Sequence, residues 1–534
     1  MTLKSMFTSK TRLSDALRLG MKKSAFEKTP YTFLPQSALD SIIIEDTILM
    51  ALGITKPTPE DCKLVAYILT KAKRLFATAA YVGLPSDTLY CAMVLFRNAN
   101  FSDERLPLEE MGGEDFLKNK MNGLKHPLVK LEGHLKPNAE RIWTFSRIHD
   151  FLKAQFSFLT PIFSTGKIDY DFGPSLILPF LKHTAQGEGS FGVVSRIEIH
   201  ADHIKPTPKT AGSFAIKEIK SNNDSQEVAE HWESEVKALR TMNELRQDHI
   251  IRFIAAFRRG RIEAREHYII FEWADGGNLH ELWQSDPSQP VTGTLVREAI
   301  TQLHGLATAL SAAHYLASDR AHGRSYRHGD LKPANILRFD SGTVIGTLKI
   351  GDWGEAKSHQ TVTAMRNMDT TARYGTRRYE PPECEIGIGP TDLNQRAKGR
   401  SRLYDIWSMG CITLEFIIWL LYGATGLREF NDSVTTGSGD QSPFYEVNEA
   451  CGVRSARVHS VVASWMQHMS KDPACRAGET ALGDLLDYLY LVRLGLIVPR
   501  KRDLLMVTVS SDRSQGGVAV LKRKPIFEST EDSL

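Results

Sequence analysis

The chain of 534 residues is 42% hydrophobic and 24% charged, the composition of a globular protein with material for more than one core. A formal net charge of +3 is too mild to demand nucleic acid or an anionic membrane as partner. Six cysteines (Cys62, Cys91, Cys384, Cys411, Cys451 and Cys475) lie without CxxC or zinc-ligand spacing, which predicts a reducing, intracellular setting rather than a disulfide framework.

In chain order, residues 1–29 read as a flexible N-terminus. The stretch Met1 to Phe26 is basic but lacks the continuous apolar run of a secretory signal; the leucines at Leu13, Leu17 and Leu19 leave an amphipathic transit peptide as the alternative. Residues 30–174 predict a separate, mostly α-helical domain. Pro59-Glu60-Asp61 opens a run in which Leu64, Ile68, Leu75, Ala79 and Val82 recur at helical spacing up to Gly83, with a second helix from Pro85 to Arg97. Lys71, Lys73 and Arg74 predict a solvated face. A helix over 138–155 carries Trp143, Phe145, Ile148, Phe151 and Leu152, read as core. No catalytic constellation falls in this region, so a regulatory or partner-docking role is the expectation.

Chemistry begins at Gly187-Glu188-Gly189-Ser190-Phe191-Gly192. The glycines are followed by alternating apolar residues, a turn-rich insert and Phe214-Ala215-Ile216-Lys217. That pattern predicts strand, glycine-rich turn, strand and a lysine on a third strand, unlike the strand-turn-helix of a dinucleotide site. Here Gly187, Gly189 and Gly192 would lay backbone over phosphates, Val194 and Ala215 would cover a base, and Lys217 would bridge two phosphates. A charged helix over 227–242 follows, then a buried strand that leaves through Ala274-Asp275-Gly276-Gly277-Asn278. A helix over 295–316 has an apolar stripe of packing residues.

The next stretch, His328-Gly329-Asp330-Leu331-Lys332-Pro333-Ala334-Asn335, precedes Asp352-Trp353-Gly354. A carboxylate before a carboxamide, with a second carboxylate opening a later loop, suits phosphoryl transfer. Asp330 would accept a hydroxyl proton, Lys332 would neutralise the migrating group, and Asn335 and Asp352 would ligate Mg2+. Downstream come Gly375-Thr376-Arg377-Arg378-Tyr379-Glu380-Pro381-Pro382-Glu383, Asp405-Ile406-Trp407-Ser408-Met409-Gly410 and Asp472-Pro473-Ala474-Cys475-Arg476. The apolar run Ile406 to Gly423 contains Glu415 and predicts a buried core helix rather than a membrane span. Residues 429–441 read as a surface loop. The tail 499–534 predicts a hairpin of Leu504 to Val509 with Val518 to Leu521, and its basic clusters suggest a nuclear address or, more simply, a solvated tail.

In this order and spacing, the motifs resemble the eukaryotic protein kinase superfamily over about Ser175 to Val498. The resemblance implies an α+β, bilobal catalytic domain (175–498) with a small antiparallel β-sheet lobe and a larger helical lobe, using ATP and Mg2+ on protein substrates with Ser or Thr acceptors. It implies that Glu235, before the apolar positions Val236, Ala238 and Leu239, fixes Lys217, with Glu233 as the alternative. It implies Phe271 as gatekeeper, the backbone of Glu272 and Ala274 against adenine, Asn278 toward ribose, and Leu337 as the floor of the base site. Thr376 would hydrogen-bond Asp330 and Lys332, Asp405 would pin the catalytic-loop backbone, and Arg476 would pair with Glu383 in a buried ion pair. Lys332 is the Ser/Thr-kinase choice at its position.

Two positions depart from the family pattern. Gly329 stands where most members have Arg, so a phosphate on the loop loses its main partner, and activity independent of loop phosphorylation at Thr361, Thr363, Thr370 or Thr371 is the expectation. Trp353 stands where most have Phe and is expected to pack near the helix carrying Glu235. Arg373, Arg377 and Arg378 suggest acidic substrates, or else pair with local carboxylates. A nucleotide-binding pseudokinase scaffold and a small-molecule kinase of the aminoglycoside or choline kinase type are the alternatives.

Overall fold

The structure, a computed structural model, describes residues 12–27, 31–108, 128, 141–164, 166–189, 192–206, 212–220, 225–261, 264–287, 291–315, 326–355, 357–358, 377–386, 402–435, 442–450, 453–496, 506–509 and 521–524. Two compact units form: residues 1–228 with 254–273, and residues 229–253 with 274–534. The helical region and the small sheet therefore share one unit, while most of the charged helix after the sheet's third motif strand belongs to the other.

In the first unit, helices α1 (Leu13–Gly20), α2 (Gln36–Ile42), α3 (Glu45–Ala51), α4 (Pro59–Lys71), α5 (Lys73–Tyr81), α6 (Ser86–Asn98) and α7 (Phe145–Ala154) enclose one apolar core. Thr58 starts α4 by a reciprocal cap, its Oγ1 accepting from Asp61 N and Asp61 Oδ2 accepting from Thr58 N, with Pro59 at the first helical position. The run up to Gly83 is two helices rather than one. At Ala72 the backbone leaves helical geometry (φ −141°, ψ 28°), and the N–H groups this frees on Arg74 and Leu75 donate to the Asp103 carboxylate at 2.9 Å each. Trp143, Phe151 and Leu152 are core as expected, with the Trp143 and Phe151 rings edge-to-face. Phe145 is a correction: at 62% exposure it lies outside the core, at the first position of α7, where it stacks on His149 instead.

The sheet of this unit has six strands in the order β4 (Asp169–Phe172), β9 (Phe253–Arg261), β10 (Ala264–Glu272), β8 (Ser213–Ile219), β6 (Gly192–Ile199) and β5 (Phe180–Gly189). Strand β4, from the segment before the glycine-rich motif, pairs parallel to β9 at the sheet's edge. A second apolar core covers one face, with Phe163, Phe172, Phe180, Phe257 and Tyr268 in mutual ring contact. The N-terminal strap between the short strands β1 (Lys22–Lys23) and β2 (Thr32–Phe33) lies on this face. Ala25 N donates to Phe180 O at 2.7 Å, Phe26 meets Phe180 and Tyr268 edge-on, and Glu27 pairs with Arg259.

The second unit contains α8 (Ser225–Glu244) from Ala229 onward, α9 (Leu279–Leu282), α10 (Gly293–His314), α11 (Glu383–Ile386), α12 (Leu403–Val434), α13 (Ser460–Met469) and α14 (Ala481–Leu496). Helix α8 is tied to this unit by the turn after it. His249 Nδ1 lies 2.7 Å from Leu348 O, Ile350 N donates to His249 O at 2.8 Å, and Ile251 N donates to Ile350 O at 3.0 Å. The His249 ring fits where Gly305 of α10 has no side chain; a Cβ there would stand 2.0 Å from Nε2. Helix α12 is long and apolar enough to cross a membrane by length and composition, yet 78% of that stretch is buried inside the protein. It kinks at Gly423, whose φ of 68° frees Ala424 N to donate to Asp286 Oδ1 at 2.8 Å. The helix also runs through residues 429–434, so the first half of the expected surface loop is helical, because Phe430 and Val434 are fully buried. The tail forms an antiparallel hairpin of Met506–Val509 with Leu521–Lys524, three residues beyond the expected second strand.

Phe163 is fully buried at the centre of the ring cluster. Truncation to Ala is expected to cost about 3–5 kcal/mol, read as a lower urea midpoint for the full chain with the unfolding slope unchanged.

Candidate active site

Strand register sorts the first unit's candidate residues onto one face. Val194, Lys217 and Ile269 are direct cross-strand partners, as are Arg196, Ala215 and Phe271. Because side chains alternate along a strand, these share the face opposite Phe214, Ile216, Ile197 and Ile270, which belong to the aromatic core. Lys217 is 7% exposed, so its charge is held in a largely dry place. The glycine-rich turn is a hairpin, with Gly189 paired to Gly192 and Gly187 to Val194; strand-turn-strand was the expected order. Glu272 ends β10 opposite Phe214, and Trp273 lies under the Arg196 guanidinium at 5.2 Å.

In the second unit, Ala274 begins a turn that β12 (Ile336–Phe339) secures: Gly276 N donates to Arg338 O and Arg338 N to Gly277 O. Asn278 caps α9, its Oδ1 accepting from Glu281 N at 3.0 Å. Leu337 is half-buried on β12, and a Cβ at Gly351 would stand 3.0 Å from its Cδ1.

The catalytic-loop stretch is organised by one carboxylate. Asp405, fully buried near the start of α12, accepts from His328 N (Oδ2, 2.8 Å) and Gly329 N (Oδ1, 2.9 Å), and its Oδ2 is 2.8 Å from His314 Nε2. Burial pushes the Asp405 carboxyl up, but the His314 hydrogen bond, the charges of His314 and His328 and the Gly329 N–H outweigh it and hold the group below its usual value. Gly329 has φ +85°, a backbone region that side chains other than glycine enter at a cost. From this anchor, Asp330 and Lys332 meet at 2.8 Å, and Asn335 Nδ2 donates to Asp330 O at 2.8 Å and to Asp330 Oδ2 at 3.2 Å. Asn335 O accepts from Gly351 N at 2.8 Å, which fixes the approach to Asp352, itself at φ +51°. Such a conformation in a non-glycine residue is uncommon and collects at functional sites.

Asn335 therefore spends its amide nitrogen on Asp330 and keeps Oδ1 for another partner. Asn335 Oδ1 and the Asp352 carboxylate are hard oxygens of the kind that could serve as ligands to Mg2+, which takes few protein ligands and completes its shell with phosphate oxygens and water. Among the described residues no group of three or more His, Cys, Asp or Glu side chains would hold a metal alone. Glu235 on α8 is fully buried, and a Cβ at Gly354 would lie 3.3 Å from its Oε2 and 3.5 Å from Asp352 Oδ1. Asp352 and Glu235 thus approach one place beside Gly354. Trp353 is buried edge-on to the His328 ring at 4.8 Å and donates its indole N–H to Ile350 O.

Two further expectations are revised. Arg476 reaches Glu479 and is 59% exposed; the buried pair with Glu383 is not formed, and burial without a cation pushes the Glu383 carboxyl up. The buried ion pair of this region is Arg378 with Glu415, each 2% exposed and 3.1 Å apart, to which Tyr379 adds a hydroxyl donated to Glu415 Oε2 at 2.9 Å. Arg377 likewise reaches Glu385 at 3.4 Å. Both arginines thus pair with local carboxylates. His314 went unread in the sequence; Glu415 was visible there as a lone charge in an apolar run, a signal of a buried partner. Thr376, Ser190, Phe191, Arg373 and the loop threonines lie outside the described residues.

Residues 180–434 match the family model of the protein kinase domain. The chain is 30% identical over 227 residues to cyclin-dependent kinase-like 5 of Mus musculus, covering 42% of this chain and 19% of that protein. It is 25% identical over 232 residues to probable cyclin-dependent kinase 8 of Dictyostelium discoideum, covering 43% and 52%. It is 27% identical over 326 residues to mitogen-activated protein kinase kinase kinase 3 of Arabidopsis thaliana, covering 59% and 46%. It therefore spans about half or less of the length of these relatives. The α+β fold, the site and these matches together identify a protein kinase domain of the eukaryotic superfamily in this chain.

Asp405→Asn is expected to destabilise the second unit by about 3–5 kcal/mol, since it leaves buried donors and His314 without their carboxylate. Because the folded-state value of Asp405 is depressed below 3.8, its stabilisation is complete above that pH and is lost as pH falls through the lower folded value. Acid-unfolding curves of the two forms should stay separated at neutral pH and converge below about pH 4.

Proposed function

We propose that this chain is a protein serine/threonine kinase that transfers the γ-phosphoryl group of ATP to protein hydroxyls. The observation that carries the reading is the catalytic-loop triad, in which Asp330 is 2.8 Å from Lys332 and bonded by Asn335 while Asp405 locks the backbone beneath it. The acceptor hydroxyl oxygen attacks the γ-phosphorus, the bond to the β–γ bridging oxygen breaks, its electron pair leaves with ADP, and the hydroxyl proton passes to Asp330. Lys332 offsets charge on the equatorial oxygens, and Lys217 binds the phosphates. Magnesium held by Asn335 Oδ1 and Asp352 would supply charge neutralisation at the phosphates. Lys332 supports a Ser/Thr preference by resemblance to that class.

Independence from loop phosphorylation follows from Gly329, which has no guanidinium to receive a phosphate. The positive φ there gives a local reason for glycine. The role of the helical region 30–174 is proposed as regulation or docking of a protein partner.

The purified 534-residue chain with magnesium ATP and a Ser/Thr peptide mixture should transfer radiolabelled phosphate. Asp330→Asn should reduce the rate about 10²- to 10⁴-fold. Binding of nucleotide with no transfer to peptide would favour a scaffold or a metabolite kinase instead. Phosphatase treatment should leave the rate unchanged; loss of activity would overturn the Gly329 argument.

A further inference from the structure

The second unit holds a cavity of about 600 Å³ whose wall includes Lys332 of the catalytic loop. Its other charged lining residues are Arg378, Glu415 and Arg428, with His280 and Asn431 beside them. Glu415 is the carboxylate by which such a cavity would accept a basic side chain, but it is already taken. Arg378 donates to Glu415 Oε1 through Nε at 3.2 Å and Nη2 at 3.1 Å, and Tyr379 donates to Oε2. Arg378 is itself held further: Asn431 Oδ1 and Ser442 O accept from it, and it lies over the Phe444 ring at 4.6 Å. The guanidinium therefore cannot swing aside without leaving Glu415 buried and unpaired, which costs several kcal/mol.

What remains to meet an occupant is cationic. Lys332 borders the cavity but is paired with Asp330, whereas Arg428 is exposed and makes no ion pair among the described residues. A cation entering would meet Arg428 and no unshared carboxylate; an anion would meet Arg428, the other charges of the wall being already paired. We infer that this cavity is a substrate subsite that accepts an anionic side chain, carboxylate or phosphate, and rejects a basic one, because Arg378 occupies Glu415 from within the chain. The inference rests on the proposed kinase reading and names its substrate class. Since Lys332 contacts Asp330, where the acceptor hydroxyl would sit, and a cavity of this volume is roughly 10 Å across, the anionic residue lies within about three positions of the acceptor in an extended peptide.

The test is a positional array of peptides with one serine acceptor, in which each position from −3 to +3 is Asp, Glu, phosphoserine, Gln or Arg in turn. It is run with the full chain and with Arg428→Glu, which alters an exposed residue outside the catalytic machinery. The expected result is one position at which Asp, Glu or phosphoserine lowers KM relative to Gln and Arg raises it. Arg428→Glu should erase or reverse that order by about five- to tenfold, with kcat on the Gln peptide unchanged. Preference for phosphoserine alone identifies phosphate as the source of the anion, and preference for all three identifies any anionic side chain; either supports the subsite. Transfer to Gln and Arg peptides as efficient as to acidic ones, or an Arg428→Glu enzyme with the parent's preference, overturns the subsite while leaving the kinase reading intact. Absence of transfer to every peptide overturns both.

Discussion

The large unit depends on one buried carboxylate. Asp405 is an ion in a place without water, and its burial is tolerable because two backbone N–H groups and an imidazole surround it. The cost of desolvation thereby becomes a constraint: the loop through His328 and Gly329 has one geometry that satisfies all three contacts. Asp330, Lys332 and Asn335 inherit their positions from that geometry. His328 passes the order on, since its Nε2 lies 2.8 Å from Gly351 O and its ring supports Trp353. One helix start, the catalytic loop and the metal-side loop are thus a single polar and aromatic network.

The small sheet follows a different logic, set by strand alternation. One face carries the lysine and the small residues suited to a nucleotide; the other carries aromatic rings that pack among themselves. Neither face alone would specify the register, but a one-residue slip would bring Lys217 into the aromatic core, where an unpaired ammonium is costly. The same aromatic face receives Phe26 and the Glu27–Arg259 pair, so the start of the chain contributes to the environment of this sheet.

Much of the catalytic architecture was legible because phosphoryl transfer leaves few choices of residue type at fixed spacing. The Asp330 to Asn335 spacing and the buried nature of Ile406 to Gly423 could each be read from the string, and the family resemblance pointed to Asp405 as an anchor. What escaped were partnerships between residues far apart in sequence. Arg476 and Glu383 looked like a pair by analogy, yet Arg476 stays near its helix turn with Glu479. Arg378 looked like a substrate contact, but a guanidinium beside a buried carboxylate satisfies that charge first. Phe145 followed the apolar pattern of its helix and still faces outward, since aromatic content does not say which turn of a short helix meets the core. The break at Ala72 was hidden for a similar reason: it depends on Asp103, thirty-one positions away in the chain.

Strand β4 has a practical consequence. It supplies the outermost strand of the sheet from residues that precede the matched kinase segment at 180–434. A shortened chain begun at residue 180 would expose the backbone donors and acceptors of β9 along its whole pairing edge, and unpaired edges of that kind recruit other chains. The boundary suited to producing the catalytic segment by itself therefore lies upstream of Asp169, and retaining the strap that carries Phe26 means keeping the helical region as well. For this protein the unit of expression is larger than the unit of homology.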